Sequence, residues 1–196
     1  MIDMKRTAAI IFASLFLFCR SLQADPNPSP LQLYAGAGFD RSTLSLKTSG
    51  TESNFVSWGG RIVAGVELKL GTYVKTFIEG EYGRAEGFNT YQTTSYIEKL
   101  TNNYLSAKAG FSYSNIALGG GARQNQIDID NVQSGGGGLR SSYKGLTYFG
   151  FGQLIFVNAD AFRTIVEAQY GGGSLDTLEM NETSVSLRLV FFPFSK

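Results

Sequence analysis

Apolar residues recur at every second position through most of the chain, with polar residues between them. The last stretch, VSLRLVFFPFSK, sets Val185, Leu187, Leu189 and Phe191 against Ser186 and Arg188. Period two is the spacing of a strand whose two faces differ, because successive side chains point to opposite sides of a sheet. Eight segments follow this rule: 31–40, 55–69, 73–84, 103–113, 116–126, 143–156, 162–172 and 183–194. In the second, Val56, Trp58, Ile62, Ala64, Val66 and Leu68 oppose Ser57, Arg61, Glu67 and Lys69. In the fourth, Leu105, Ala107, Ala109, Phe111 and Tyr113 oppose Ser106, Lys108, Gly110 and Ser112. The sixth is apolar on both faces, and Gln153 assigns Leu146, Tyr148, Leu154 and Phe156 to the apolar side.

The connections alternate in length. Long polar stretches at 41–54, 85–102 and 127–142 and a moderate one at 173–182 alternate with short ones at Leu70-Gly71-Thr72, Ser114-Asn115 and 157–161. In an up-and-down sheet every second connection lies at the same end, so one rim gathers the long loops and the other the tight turns. Each segment is about as long as the 9–11 residues a tilted membrane strand requires. The fold class predicted is all-β: an eight-stranded antiparallel up-and-down transmembrane β-barrel over residues 31–194.

A soluble barrel also alternates, with its polar face outward. Three features favour the membrane orientation. The charged face carries both signs: Asp40, Glu67, Glu79, Glu81 and Glu167 with Arg61, Lys75, Lys108, Arg123, Arg163 and Arg188. That composition suits a lumen ion-pair network, because a buried charge needs a partner. The same face is rich in Gly and Ser, which a crowded interior accommodates. Aromatic residues gather near strand ends, at Trp58, Tyr82, Phe111, Tyr113, Tyr148, Tyr170, Phe191 and Phe194, as in the girdles of membrane barrels. Arg188 is expected to point into the lumen, since placing it in lipid at mid-bilayer costs about 2–4 kcal/mol. Asp40 or Glu167 on the adjoining strands would pair with it; a hydrated lumen arginine is the alternative.

The N-terminus precedes this pattern. Lys5 and Arg6, an apolar run from Thr7 to Cys19 and a small-residue site ending at Ala24 form a secretory signal over 1–24, followed by a short lead at 25–30. The apolar run is too short to span a bilayer. Cys19 is the only cysteine of 196 residues, so a chain starting at Asp25 has no disulfide framework. With 17 basic and 16 acidic residues, the composition offers no nucleic-acid footprint.

Over 31–194 the sequence resembles the small eight-stranded outer-membrane barrels of the OmpA/OmpX type, barrel domain only. The last strand also resembles the terminal recognition signal of such barrels, although Pro193 interrupts it and Ser195-Lys196 follow Phe194. The resemblance implies outer-membrane residence, contact with membrane lipids and lipopolysaccharide, handling by the barrel-assembly machinery, and no cofactor. It implies a non-enzymatic role in envelope integrity, or in surface interaction through the long outer loops with an unknown partner. The alternatives are a narrow channel, a soluble lipid-carrying barrel and a lipid-modifying enzyme.

The chain contains no histidine, so the histidine-dependent chemistry of lipid A acyltransferase and deacylase barrels does not carry over. Glu79 and Glu81, two apart on one face, form either an acid/base dyad or ion pairs with Lys75, Lys108 or Arg61; the ion pairs are the simpler reading. Asp128 and Asp130 lack the remaining ligand positions of a calcium loop and read as a solvated loop, with no metal site. Gly135–Gly138 lacks the GK[ST] ending of a phosphate loop and reads as a loop tip. Phe88, Tyr91 and Tyr96 are candidate outer-loop contacts, or else extend a hairpin above the membrane.

Overall fold

A computed structural model of the chain describes residues 31–48, 51–89, 96–133, 139–159 and 161–193. These fold into eight strands: β1 (Leu31–Thr48), β2 (Thr51–Lys69), β3 (Val74–Asn89), β4 (Tyr96–Tyr113), β5 (Ile116–Gln133), β6 (Leu139–Asn158), β7 (Phe162–Leu175) and β8 (Leu178–Phe191). Each pairs antiparallel with its chain neighbour, and β1 closes on β8 to complete a barrel. The signal and lead segments, Cys19, Gly135–Gly138, Tyr91 and Phe194 lie outside the described residues, as do the side chain of Tyr96 and the burial of Gln133.

The register fixes the tilt. The path from Ala35 through Ala64, Gly80, Ala107, Ala122, Tyr148, Gly172 and Asn181 returns to β1 at Ser45, ten residues higher. A stagger of that size on eight strands inclines them by about 40°. The outward apolar residues of β4 run from Leu105 to Tyr113. At about 3.3 Å per residue and that tilt they cover about 20 Å of height, most of the apolar band of an outer-membrane barrel. Ile78, Phe111, Tyr113, Leu118, Tyr148, Tyr170 and Leu187 are exposed on this belt.

The strands run further than the sequence pattern indicates. The stretches 41–54, 85–102, 127–142 and 173–182 are mostly strand, not loop: β1 and β2 continue to Thr48 and from Thr51, and β7 and β8 meet at a turn through Asp176 and Thr177. Asp176 takes a left-handed φ of 49° there, and its carboxylate accepts the Lys144 backbone N–H at 2.7 Å. Asp128 and Asp130 therefore sit on β5, where Arg140 of β6 reaches both, at 3.0 and 3.7 Å. Phe88 lies on β3 and Tyr96 on β4, so these residues extend a hairpin. At the other end β8 stops at Phe191, earlier than expected, and Phe192 turns inward onto Tyr34.

Inside, large rings rest on glycines of the next strand. Tyr34 faces Gly65 and Tyr104 faces Gly83 in register. A Cβ on Gly83 would lie 2.2 Å from the Tyr104 ring, and one on Gly65 would lie 2.5 Å from Tyr34. At these two positions only glycine allows the ring to lie flat against the wall.

Candidate functional site: the lumen and its two closures

At mid-height the lumen holds three carboxylates and three cations. Glu79 and Glu81 come from β3, Glu167 from β7, Arg61 from β2, Lys108 from β4 and Arg188 from β8. Lys108 Nζ touches all three acids, at 3.0 Å to Glu79, 2.7 Å to Glu81 and 2.5 Å to Glu167. Arg61 bonds Glu81 at 3.1 Å and Glu167 at 3.2 Å. Arg188, 0 % exposed, donates to Glu167 at 2.9 Å and to Glu79 across the lumen. Gln153, Gln169 and Ser106 supply further donors to Glu167 and Glu81. A cluster of equal and opposite charges is the form in which buried ions persist, since each offsets the desolvation of its neighbours; Arg61 Nε and Nη2 and Arg188 Nε are left without a hydrogen-bond partner in it.

Arg188 thus has Glu167 among its partners but not Asp40. In register Gly38 faces Arg188, while Asp40 lies two residues further up, opposite Ser186. Arg188 passes over Gly38, where a Cβ would meet its Cγ at 2.9 Å, and Asp40 instead lies beside Arg61 Nε at 3.8 Å. Glu79 and Glu81 do not face each other as an isolated acid/base dyad; both are engaged by cations. Lys75 pairs with Glu67 at 3.2 Å rather than with Glu79 or Glu81. Arg163 also grips Glu67 with two nitrogens, near the lower mouth.

Above the central cluster Arg123 bonds Glu182 at 2.6 Å and Gln169 at 2.6 Å, and its guanidinium stacks on Tyr104 at 4.3 Å. Glu182 lies in the stretch 173–182 that the alternation of connections assigns to a loop, so the strand pattern does not include it. Its parity with Ser184, Ser186 and Arg188 is the signal that places it inside.

Two apolar clusters bracket the charges. Below, Tyr34, Val63, Ile155, Ile165, Val190 and Phe192 pack together, and the Phe192 ring covers the Arg163 guanidinium at 4.2 Å. Above, Leu44, Leu46, Phe55, Leu100, Ile127, Leu175, Leu178 and Met180 form a core beneath the upper rim. Two small cavities are a space of about 10 Å³ beside Gln169 and Glu182 and one of about 20 Å³ at the lower cluster, beside Tyr34, Glu67 and Gln153. Each has room for about one water molecule.

On the outer wall the girdle residues Trp58, Phe111, Tyr113, Tyr148, Tyr170 and Phe191 are exposed, and Tyr82 is half-buried beside them. Above the belt the outward residues become polar: Asn103, Thr101 and Lys99 on β4, Thr183, Asn181 and Glu179 on β8. Glu86 accepts from Arg84 at 2.7 Å and from Lys99 at 3.0 Å there. Hydrogen bonds from Lys99 and then Arg84 hold its carboxyl below the usual carboxylate range.

A closed eight-stranded antiparallel barrel with an apolar belt outside and a filled, charged lumen is the architecture of the small outer-membrane β-barrels. Solved structures of that class superimpose on the chain. The attachment invasion locus protein Ail of Yersinia pestis, in complex with the heparin analogue sucrose octasulfate, matches with a TM-score of 0.53 at 13 % identity, over 82 % of this chain and 99 % of that one. Neisserial surface protein A matches with a TM-score of 0.51 at 15 % identity, over 82 % of this chain and 96 % of that one. At these identities the likeness is one of fold. No protein-family model and no curated protein sequence matches the chain.

Proposed function

We propose that the chain is an exported, integral protein of the bacterial outer membrane that acts through its outer surface, serving envelope integrity or surface contact, and neither conducts solutes nor catalyses a reaction. The observation that carries this reading is the double closure of the lumen. A solute would have to cross both the central ion cluster and the apolar core of Leu44, Phe55, Leu100 and Ile127. Eight strands leave a bore that side chains fill, and these side chains are locked by charge below and by packing above. The wide upper rim, built from four hairpins, faces the exterior in this reading, and the termini of the described barrel lie at the lower, periplasmic end.

Catalysis finds no support in the lumen, because each carboxylate of the central cluster is held by cations and lies away from solvent. A soluble lipid carrier would need an apolar cavity and a polar exterior, the reverse of the belt between Leu105 and Tyr113. Three of the upper-rim cations, Arg84, Lys99 and Arg140, are each beside a carboxylate.

Refolding the protein into lipid bilayers and recording single-channel current tests the reading, with migration on SDS gels before and after heating as the check on barrel formation. A heat-dependent shift with no unitary current is the expected pair of results. Stable current steps from the heat-shifting form would establish a channel, and recovery as a soluble periplasmic protein without the shift would overturn membrane residence.

A further inference from the structure

The lumen carries its surplus of positive charge at the lower mouth. In the central cluster three cations meet three carboxylates, and above it Arg123 meets Glu182 while Asp40 lies beside Arg61. At the lower end the inward face carries Lys69, Lys75 and Arg163 but, among the described residues, a single acid, Glu67. That acid is already engaged. Arg163 grips both of its oxygens, donates its Nε to Asn158 at 2.7 Å and is covered by the Phe192 ring. Lys75 shares one of the same oxygens at 3.2 Å, which leaves further donors of its ammonium unused. Lys69 is exposed and ion-pairs with no acid among the described residues.

Lys69 and Lys75 stand directly opposite each other in register across β2 and β3. Like charges so placed destabilise a sheet, and an anion held between them removes the repulsion. The row continues onto β4, where Lys75 faces Ser112. Ser112 is buried and borders the small cavity that Glu67 and Arg163 also line. Adjacent strands are about 4.8 Å apart, so two long ammonium side chains and a hydroxyl from three successive strands can converge on one group of atoms.

We infer that Lys69, Lys75 and Ser112 form a binding site for a soluble phosphate-type dianion at the lower mouth. A phosphate carries a charge of about −1.5 to −2 at neutral pH and at least three acceptor oxygens. Those match two lysines and three donors, whereas a monocarboxylate brings one charge and two oxygens. The donors lie on the inner face of their strands and acyl chains lie on the outer wall, which favours a soluble ligand over a lipid headgroup. The site rests on the outer-membrane reading above, which turns this mouth to the periplasm.

The refolded protein, in phosphate-free detergent micelles at constant ionic strength, is titrated with inorganic phosphate and followed by the phosphorus resonance of the anion. Saturable broadening is expected, with acetate at least about tenfold weaker as a competitor. Lys69→Gln leaves the Glu67–Arg163 pair in place and should weaken binding about tenfold, the scale of one charge-assisted contact. Lys144→Gln, at the opposite end of the barrel, should leave it unchanged. Broadening that does not saturate, equal affinity in wild type and Lys69→Gln, equal competition by acetate, or equal weakening by Lys144→Gln each overturn the site. Displacement of phosphate by an equimolar amount of phosphatidylglycerol in the micelles would assign the donors to a lipid headgroup and overturn the soluble ligand. Heat-shift gels on every sample separate these failures, which leave the barrel reading intact, from failure to form a membrane barrel, which would overturn both.

Discussion

The two halves of this barrel use one backbone pattern with opposite chemistry. Within the belt, strand β4 turns Leu105, Ala107, Ala109 and Phe111 outward and Ser106 and Lys108 inward. Above it, the same strand turns Asn103, Thr101 and Lys99 outward and Tyr104, Asn102 and then Leu100 inward. β1 repeats the exchange, with Phe39 outward and Asp40 inward below, Lys47 outward and Leu44 and Leu46 inward above. On these two strands the side-chain parity does not slip; only the surrounding solvent changes. In lipid the outer wall gains nothing from being polar, and the interior must carry the charge. In water the ordinary rule returns, and the interior is an apolar core. The level at which the exchange occurs is the membrane surface written into the sequence.

Removing Glu167 should do the most damage, because it breaks the lower half at its centre. Glu167→Gln leaves Arg61, Lys108 and Arg188 short of a carboxylate, and loss of one member of a buried ion cluster costs about 3–5 kcal/mol. Urea unfolding followed by Trp58 emission measures it, and a loss under 1 kcal/mol would mean that water already satisfies these cations. In the upper half the corresponding damage is a cavity: Leu100→Ala should cost about 3 kcal/mol, the usual scale for a fully buried leucine. A negligible effect would show that the upper core is loosely packed.

A matched pair of arginines tests the boundary itself. Ala109→Arg places a charge on the lipid wall and should cost about 2–3 kcal/mol. Thr101→Arg, on the same face of the same strand but above the belt, should change stability by no more than about 0.5 kcal/mol. Equal costs would erase the distinction between the halves. The smallest effect is expected at Glu86. Its carboxyl is held below the ordinary range, so its contribution is complete above that range and fades as pH falls through the lowered value. On an exposed wall, Glu86→Gln should leave the unfolding midpoint at neutral pH unchanged within error.

The exchange of chemistry also explains what could be read from the sequence. Strand number, pairing order and the faces of Arg61, Glu81, Lys108 and Arg188 follow from period-two alternation, because lipid keeps the outward positions uniformly apolar. The strand extensions were obscured because apolar residues change parity at the boundary. Phe39 is outward and Leu44 inward, so RSTLSLKT breaks the running pattern and looks like a loop. Across-lumen contacts were obscured for a different reason. Asp40 and Glu167 are on strands adjoining β8, but Arg188 reaches Glu79 on β3, and nothing in local alternation says which residues meet through the middle of a closed cylinder. The inward set was legible; its partners required the register and the diameter.

Because Arg188 on β8 binds Glu79 on β3, and Glu167 on β7 binds Arg61 on β2, the central cluster joins strands from opposite ends of the chain. An open sheet keeps the neighbour-strand pairs Arg61–Glu81, Lys108–Glu79 and Arg188–Glu167 but loses Arg188–Glu79, Arg61–Glu167 and Lys108–Glu167, in a medium that does not solvate the groups left over. Their pairing is complete only when β1 meets β8. The cluster therefore acts as a checkpoint on assembly: partly zipped intermediates are penalised, the last seam is rewarded all at once, and the barrel should enter the bilayer closed or not at all.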